Sequence, residues 1–337
     1  MSRISVLGSG AWGTAIALSL THKGGHEVTL WSHRAETAEA LNKSRQNVHF
    51  LPGFALQPEL RVTGDDAVAL ADAEIVVSVV PSEFLRATMT RLVPHIHAGQ
   101  ILISATKGLE DHTFLRMTEV MQSCVAQAGL TLPVGALSGP SFAQEVAAGM
   151  PTAVTIAFAD ASIASLVQKE FSSATLRLYT SDDLIGVEMG GALKNVIAIA
   201  AGVLAGMGLG LNSAAGLITR GIAEITRLAV AAGGRRETLA GLSGVGDLVL
   251  TCTGSLSRNR SVGMELGRGR KLAEILAGLD GKVAEGVRTT RAALGLARKL
   301  GVEMPIVEQM ELILDEGKDP KEAIRELMLR PSRDEKD

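Results

Sequence analysis

The chain has 337 residues, of which 46% are hydrophobic, 20% charged and only 3% aromatic. This length indicates two domains rather than one compact core, and the hydrophobic share excludes an intrinsically disordered chain. The 33 basic and 36 acidic residues give a formal charge of −3, without the basic excess that nucleic-acid-binding proteins show.

The cysteines, the N-terminus and the apolar segments indicate a cytoplasmic protein without a transmembrane segment. Cys124 and Cys252 lie far apart and form neither a disulfide framework nor a zinc pattern, which suits a reducing compartment. The sequence enters a strand almost at once, without room for a signal peptide. The apolar stretch Val196–Leu211 is shorter than the roughly 20 residues of a membrane span, and predicts a buried helix of a soluble protein.

The first half alternates short β-rich runs with helical stretches, which is typical of a parallel sheet covered on both faces. The predicted strands are Ile4–Leu7, Glu27–Trp31, Ile75–Val80, Gln100–Ser104, Val134–Leu137 and Thr152–Phe158. The predicted helices are Ala11–Lys23, Glu83–Val93, Thr113–Ala128 and Ala161–Phe171. Helical periodicity prevails from about Asp182 onward. We therefore expect a doubly wound α/β domain over residues 1–180 and an all-α domain over residues 181–337.

The first strand leads into the glycine-rich turn Gly8-Ser9-Gly10-Ala11-Trp12-Gly13, which opens the first predicted helix. In this pattern the first glycine permits a tight turn, the second lets the backbone approach a pyrophosphate, and the third lets helix and strand pack closely. The helix N-terminus then offers free N–H groups to the phosphates. The strand–turn–helix context favours a Rossmann-like dinucleotide site over a merely structural turn.

The second strand ends in Trp31-Ser32-His33-Arg34. A site selective for NAD usually places an acid here to bind the ribose 2′-hydroxyl, and this sequence has none until Glu36. Arg34 and His33 are instead suited to a 2′-phosphate, so the sequence predicts that NADPH is accepted. Two solvated charges on a loop are the alternative.

Two further motifs follow strands, at the edge where open α/β sheets bind ligands. Lys107, in Ser104-Ala105-Thr106-Lys107-Gly108, is placed to meet a phosphate or a reacting oxygen, although a surface lysine is the alternative. Gly139-Pro140-Ser141-Phe142-Ala143 is small enough for close approach of the backbone to a ligand, and also matches an ordinary turn.

The helical half contains polar residues in apolar surroundings. Lys194 and Asn195 open an apolar helix, and Asp247 lies in the apolar run Leu242–Thr251. A buried lysine needs a partner and has a lowered pKa, which suits proton exchange near neutral pH. Asp247 is a plausible partner, and a purely structural ion pair is the alternative. Along the same helix, Ala198, Gly202 and Gly206 form a ridge that another helix can approach closely.

The last motifs of the chain point to anion binding. Arg258 and Asn259, in Ser257-Arg258-Asn259-Arg260, can hold a phosphate, with a solvated basic loop as the alternative. Glu285, in Val283-Ala284-Glu285-Gly286, can bind a cofactor hydroxyl or amide. No residue pattern suggests a metal site, and no nucleophile elbow is present.

Taken in order, these motifs closely resemble the bacterial NAD(P)-dependent glycerol-3-phosphate dehydrogenases over nearly the whole chain. Other Rossmann dehydrogenases share only the first motif, whereas this chain carries all seven in register. The matching segments are GSGAWGTA at 8–15, SATKGLE at 104–110, GPSFAQEV at 139–146, GALKNVIAIAAG at 191–202, GVGDLVLTCTG at 244–254, SRNR at 257–260 and AEG at 284–286.

The resemblance implies reversible hydride transfer between NADPH or NADH and dihydroxyacetone phosphate, giving sn-glycerol 3-phosphate for phospholipid synthesis. It implies that Lys194 is the proton donor and acceptor, and that Asp247 and Lys107 share the catalytic pocket. The implied substrate-binding residues are Lys107, Gly139, Ser141, Lys194, Asn195, Asp247, Thr251, Ser257, Arg258 and Asn259. The implied cofactor-binding residues are Gly8, Gly10, Ala11, Trp12, Gly13, His33, Arg34, Lys107, Ala143, Arg258, Val283 and Glu285.

Two alternatives remain at this point. One is a related reductase of a hydroxy acid such as 6-phosphogluconate or ketopantoate, and the other is a catalytically inactive dinucleotide sensor. The intact polar set around Lys194 and the SRNR motif argue against both. The sequence leaves a homodimer open.

Overall fold

The computed structural model describes residues 1–278, 284–332 and 334–335. Its strands are β1 (Ser2–Leu7), β2 (His26–Trp31), β3 (Arg61–Thr63), β4 (Ile75–Ser78), β5 (Ile101–Ser104), β6 (Val134–Ser138), β7 (Thr152–Ala157) and β8 (Leu176–Ser181). In the described part of the chain they form one eight-stranded sheet in the order β3-β2-β1-β4-β5-β6-β7-β8.

The sheet is parallel from β3 to β6 and reverses direction once, between β6 and β7. β6 and β7 pair antiparallel through Ala136 and Ala157, and β8 then runs parallel to β7. The pattern of the sequence predicts a parallel sheet, and the one antiparallel pairing, between β6 and β7, departs from it. The segment after β6 stays at the carboxyl edge, through one short helix, and re-enters the sheet from that edge, whereas a parallel strand needs a crossover to the opposite edge.

Helices cover the sheet in the first half and make up the second half. Those of the first half are α1 (Ala11–Lys23), α2 (Ala35–Ser44), α3 (Asp66–Leu70), α4 (Ser82–Leu92), α5 (Met117–Gln127), α6 (Ala143–Ala147) and α7 (Ala161–Phe171). Those of the second half are α8 (Leu184–Gly206), α9 (Leu211–Ala231), α10 (Arg236–Leu239), α11 (Asp247–Thr253), α12 (Arg258–Gly267), α13 (Leu272–Ala277), α14 (Glu285–Leu300), α15 (Pro305–Glu311) and α16 (Pro320–Met328). A 3₁₀ turn occupies Val93–His95, and π-helical turns occupy Leu242–Gly246 and Leu312–Glu316.

The predicted fold class, a doubly wound α/β sheet followed by a helical region, is confirmed. The last strand ends at Ser181, and every later element in the described residues is helical. The bounds predicted for α1 and α7 agree with the structure. The short β3 and the half-exposed edge strand β8 were missed. β3 has only three residues, whereas β8 does show the alternation of buried and exposed residues that is typical of a half-buried strand.

The hydrophobic core is divided among the two faces of the sheet and the surroundings of α8. One apolar cluster combines β1, β2, α1 and α7, and another combines β4, α4 and α5. The third surrounds α8, whose residues 186–204 are buried without interruption. The helix that carries Lys194 is therefore the central element of the helical half.

The predicted ridge of small residues on α8 contacts α12 of the same chain. A Cβ atom on Gly202 would lie 2.1 Å from the carbonyl oxygen of Arg260, and one on Gly206 would lie 2.1 Å from that of Met264. The two helices thus touch backbone to backbone, which places the SRNR motif beside α8.

One helix of the described residues is long and apolar enough to span a membrane. By length and composition α8 alone could cross a bilayer, but 89% of its most apolar window is buried inside the protein. A bent pair, Arg236–Thr253 with Arg258–Gly267, passes the same test only as one broken span, with a bend of 49°. The sequence analysis predicted a buried helix here, and the burial of α8 agrees.

Candidate active site

The candidate site lies at the carboxyl edge of the parallel strands. From β1 the chain proceeds to β2 and β3 on one side, while β4, β5 and β6 lie on the other. Open α/β sheets bind ligands where the strand order diverges in this way. The glycine-rich turn follows β1, Lys107 follows β5 and Gly139 follows β6, so that all three motifs come to this one edge.

The turn after β1 fits the pyrophosphate of a dinucleotide. A Cβ on Gly13 would lie 1.9 Å from the carbonyl oxygen of Gly8, so the turn can close only with glycine. Gly10 precedes the thirteen-residue α1, whose first turn contains no acidic residue and whose N-terminus has no side-chain cap. In the described part of the chain, the buried Nε1 atom of Trp12 has no hydrogen-bond partner. Open N–H groups at a helix N-terminus are what a phosphate requires.

His33 and Arg34 lie together on the surface just beyond β2. Arg34 Nε donates to His33 Nε2 at 3.2 Å, and the structure gives Arg34 no acidic partner among the residues it describes. Partial burial, together with the charges of Arg34 and Arg91, lowers the pKa of His33. Arg91 itself is neutralised by Asp66, at 2.6 Å. Arg34 is therefore the cation at this position that is available to an anion.

Lys107, Lys194, Asp247 and Thr251 converge on one buried cluster, as the sequence analysis expected. Lys194 Nζ donates to Asp247 Oδ1 at 2.5 Å and to Thr251 Oγ1 at 2.8 Å. Lys107 Nζ donates to Asp247 Oδ2 at 2.6 Å. The Asp247 side chain is only 1% exposed, and that of Lys194 is 9% exposed. One buried carboxylate thus holds two ammonium groups, one from each half of the chain.

The environment of Lys194 lowers its pKa to about 8. Burial is the largest cause, the carboxylate of Asp247 opposes it, and the charge of Lys107 lowers the pKa further. An ammonium group with a pKa this close to neutrality can release and recover a proton under ordinary conditions. The neighbouring Cys252 behaves differently, because burial raises the pKa of its thiol to about 12 and keeps it protonated.

The loop after β6 contributes backbone groups to the same cluster. The carbonyl oxygen of Gly139 accepts a hydrogen bond from Lys107 Nζ at 3.1 Å and another from Ser141 Oγ at 2.9 Å. Ala143 begins α6, which packs against α1. The predicted residues of this loop therefore lie between Lys107 and the helix that follows the glycine-rich turn.

The SRNR motif forms the N-terminus of α12. Ser257 Oγ caps the helix by accepting from the N–H of Arg260 at 3.2 Å. Arg258 is exposed, and the structure gives its guanidinium no hydrogen-bond or ion-pair partner among the described residues. It is near enough to Glu285 for its charge to lower that carboxyl's pKa, although burial outweighs it and the pKa of Glu285 is raised.

Asn195, Asn259 and Glu285 are joined side by side. Asn259 Nδ2 donates to Asn195 Oδ1 at 3.0 Å, and Asn195 Nδ2 lies 3.5 Å from Glu285 Oε2. Asn259 Oδ1 accepts from the N–H of Gly286 at 3.0 Å. Both polar ends of the Asn259 side chain are therefore engaged within the protein.

Three residues remain: Val283, which the sequence predicts for the site, and Asn47 and Ser138, which it does not. Val283 lies outside the described residues. Asn47 was missed, although its Nδ2 donates to the Ser9 carbonyl oxygen and to Thr14 Oγ1, both at 2.8 Å, and so holds the glycine-rich turn. Ser138 was also missed, at the end of β6, where its buried Oγ has no hydrogen-bond partner among the described residues. A lone Asn in a loop and a Ser beside Gly139 carry no spacing signal that would single them out.

Metal binding finds no support in the described residues, where no group of three or more His, Cys, Asp or Glu side chains could hold an ion. The polar side chains of the site are mainly cationic or amide groups. They are suited to a phosphate and to a developing negative charge on oxygen.

Comparison with family models and known proteins gives one consistent result. Residues 3–164 match the N-terminal model of NAD-dependent glycerol-3-phosphate dehydrogenase, and residues 183–325 match the C-terminal model. The curated glycerol-3-phosphate dehydrogenase (NAD(P)+) of Acidobacterium capsulatum is 61% identical over 99% of this chain and 100% of its own. That of Koribacter versatilis is 56% identical over 98% of each chain.

Solved structures agree with the sequence relatives. A glycerol-3-phosphate dehydrogenase crystal structure from Coxiella burnetii superposes with a TM-score of 0.92 at 39% identity, covering 98% of this chain and 99% of that one. The yeast glycerol-3-phosphate dehydrogenase structure superposes with a TM-score of 0.80 at 26% identity, covering 96% of this chain and 98% of that one.

Proposed function

The chain belongs to the NAD(P)-dependent glycerol-3-phosphate dehydrogenase family, and from this premise we propose that it reduces dihydroxyacetone phosphate reversibly to sn-glycerol 3-phosphate. The observation that carries the proposal is the buried Lys194–Asp247–Lys107 cluster at the carboxyl edge of the sheet. It combines a proton donor of suitable pKa with an excess of positive charge for a phosphorylated ketone.

The reaction needs a proton at the oxygen on C2 of the substrate. A reduced nicotinamide, when bound, supplies the hydride for the C2 carbon. Lys194, as an ammonium, donates a hydrogen bond to that oxygen, stabilises the negative charge that develops on it and delivers the proton. Asp247 and Thr251 hold the Lys194 Nζ in place. In the oxidising direction, neutral Lys194 takes the proton from the hydroxyl group.

The phosphate of the substrate binds, in this proposal, between Arg258 and the start of α12. The support is that Arg258 is exposed without a partner among the residues that the structure describes, and that the first N–H groups of α12 have no intrahelical acceptor. Lys107 adds positive charge, and Ser257 shapes the helix N-terminus. Gly139 and Ser141 then border the substrate with backbone and hydroxyl groups. A phosphate held away from the reacting carbon fixes the geometry of the carbonyl.

The cofactor site that we propose follows the glycine-rich turn. The backbone of Gly8, Gly10 and Ala11, closed by Gly13, would hold the pyrophosphate, with Trp12 beside it. Arg34 and His33 would face a 2′-phosphate, so that NADPH is accepted as well as NADH. Ala143, Lys107, Arg258, Glu285 and Val283 complete the cofactor positions that family membership implies.

The division of the chain and its setting are part of the same proposal. Residues 1–180 would form the cofactor-binding domain and residues 181–337 the substrate domain. The product would supply phospholipid synthesis in the cytoplasm, and the free, buried Cys124 and Cys252 are compatible with a reducing compartment. A homodimer stays a prediction, and sedimentation velocity of the purified protein would measure the oligomeric state.

The decisive experiment is a spectrophotometric assay of nicotinamide oxidation. Dihydroxyacetone phosphate should support turnover with NADPH and with NADH, whereas dihydroxyacetone without its phosphate should lose most of the kcat/KM. Turnover of ketopantoate in this assay, or reduction of NADP+ by 6-phosphogluconate in the reverse assay, would instead favour the related Rossmann enzymes. Cofactor binding without turnover of any phosphorylated ketone would indicate a dinucleotide sensor and overturn the proposal.

A further inference from the structure

A short chain of hydrogen bonds leads from the backbone of α14 to the side chain next to Lys194. The N–H of Gly286 donates to Asn259 Oδ1, and Asn259 Nδ2 donates to Asn195 Oδ1, each over 3.0 Å. The last link places Asn195 Nδ2 3.5 Å from Glu285 Oε2. Asn259 and Asn195 are 9% and 4% exposed, so little water competes for these bonds.

The direction of every bond in this chain follows from its first member. A backbone N–H can only donate, so the atom of Asn259 that faces Gly286 must be the carbonyl oxygen. The NH₂ group of Asn259 must then face Asn195, which must in turn present its own oxygen to it. The NH₂ group of Asn195 is thereby directed to the opposite side, toward Glu285.

Glu285 supports the same orientation independently. If the amide of Asn195 were reversed, its carbonyl oxygen would face a carboxyl oxygen of Glu285, and two acceptors would oppose each other. The Glu285 carboxyl is also close enough to Lys107, Lys194 and Arg258 for their charges to act on it. Asn195 Nδ2 thus points into the region where the cationic side chains of the site converge.

The glycine of the AEG motif makes this arrangement possible. A Cβ on Gly286 would lie 2.6 Å from the carbonyl oxygen of Asn195 and 2.8 Å from Ile199 Cδ1. Only a residue without a side chain lets the first turn of α14 approach α8 so closely. The motif therefore places a backbone N–H as well as the Glu285 carboxyl.

We propose that Asn259 is a positioning residue. It transmits the donor polarity of the Gly286 N–H to Asn195, so that Asn195 offers its remaining N–H to an oxygen of the substrate. This inference rests on the proposed function for the identity of the substrate. The phosphate and carbonyl oxygens of a phosphorylated ketone accept hydrogen bonds, so the carbonyl oxygen of a reversed Asn195 amide would repel them. The backbone N–H of Asn259, near the start of α12, stays available to the phosphate.

A double-mutant cycle tests the proposal, using Asn259→Asp, Asn195→Ala and the double variant. The carboxylate that Asn259→Asp introduces still accepts from Gly286 but cannot donate to Asn195, so Asn195 should turn its oxygen toward the substrate. We expect kcat/KM for dihydroxyacetone phosphate to fall about tenfold or more in Asn259→Asp. In the Asn195→Ala background the same change should cost less than about threefold, because the residue through which it acts is absent.

A second cycle uses Asn259→Leu, which removes the same link without adding a charge. If the two cycles disagree, the result with Asn259→Leu decides. Cofactor Kd and the thermal midpoint, measured for every variant, separate misfolding from misorientation, and Asn212→Asp on the exposed start of α9 is the matched control. Equal losses of kcat/KM in both backgrounds would show that Asn259 acts directly on the substrate, and would overturn the proposal. A kcat/KM of the Asn259 variants within threefold of the wild type would also overturn it. Absence of wild-type turnover would instead refute the proposed function.

Discussion

Lys194 keeps an ammonium group in a position from which water is almost excluded. Its desolvation is offset by a single carboxylate, Asp247, and that carboxylate is shared with Lys107. If Asp247 were the partner of Lys194 alone, the pKa of Lys194 would be higher. Without any carboxylate partner, the buried Lys194 would lose its proton below neutral pH. Burial is thus the main cause of the lowered pKa of about 8, and the carboxylate shared with Lys107 limits how far the pKa falls.

We predict that reduction of the ketone depends on the protonated form of Lys194. Because burial and Lys107 lower the pKa to about 8, kcat for reduction should fall as pH rises above about 8, and kcat for oxidation should rise over the same range. Lys194→Ala should lower kcat by about 10²–10⁴-fold. Steady-state kinetics in both directions, carried out between pH 6 and 10, measure these changes in kcat.

The exposed lysine of α2 provides the control for that experiment. Lys43→Ala changes the charge by the same amount away from the site, and its pH profile should match the wild type. If Lys194→Ala kept kcat within tenfold of the wild type, another group would have to deliver the proton.

The sequence was most informative for residues whose chemistry conflicts with their surroundings. Lys194 and Asp247 were predicted as partners because each is a charge within an apolar run, and the structure joins them. Asn47 and Asn259 could not be assigned their contacts in the same way. An uncharged amide is common in loops and at helix ends, and only the folded chain shows which carbonyl or N–H group it meets.

At the scale of elements, the contact of α8 with α12 fixes where the SRNR motif lies. Gly263 faces Gly202 so closely that a Cβ on Gly263 would be 2.0 Å from the Ile199 carbonyl oxygen and 2.9 Å from the Gly202 Cα. The obstacle is the backbone of α8 within its buried part, which cannot rotate away as a side chain can. The register of α12 against α8 therefore depends on this residue.

We predict that Gly263→Ala destabilises the protein by about 2–3 kcal/mol, because α12 must move away from α8. The midpoint of urea denaturation should fall, and KM for dihydroxyacetone phosphate should rise as Arg258 is displaced. Gly216→Ala is the control, since its Cβ would meet nothing within 4 Å in a helix of the same half. That variant should gain up to about 1 kcal/mol from helix propensity. Equal stability of the two variants would contradict the prediction.

The periodicity of the sequence predicted elements better than it predicted their direction. Helix α1 is bounded by Gly10 and Gly24, and α7 has an amphipathic pattern that begins after Asp160; the predicted bounds of both agree with the structure. The alternation of a strand carries no information about which end enters the sheet first. Whether β7 runs with or against β6 is decided by the path of the connecting segment, which sequence patterns do not show.

For the whole molecule, the two halves are held together by buried polar contacts as well as by the active-site cluster. Glu188 of α8 accepts hydrogen bonds from the backbone N–H and hydroxyl of Thr118, at 2.9 and 2.6 Å, and from Arg116 Nη1 at 2.6 Å. These donors lie at the N-terminus of α5, on the sheet side. Glu188 thus anchors the central helix to the first half of the chain.

We predict that Glu188→Gln lowers the free energy of unfolding by about 1–3 kcal/mol, because an amide cannot accept from all three donors and opposes at least one. Denaturant titration measures the loss. Glu265→Gln is the matched control, since the partners of Glu265 are Arg268 and Arg270, 56% and 51% exposed, and exposed pairs contribute less than about 1 kcal/mol. Similar losses in the two variants would show that the buried Glu188 contacts stabilise the protein no more than the exposed Glu265 pairs do.

The reversal between β6 and β7 has a consequence for the length of α8. Because β7 and β8 run against the first six strands, β8 ends at the edge of the sheet opposite the carboxyl edge that carries the glycine-rich turn. From that far edge α8 passes back across the molecule, and Lys194 comes ten residues after its first residue, a rise of about 15 Å. The segment sets both a distance and a rotational phase, since one residue inserted before Lys194 would turn the lysine by about 100°. A change in the length of this segment would therefore separate Lys194 from Asp247.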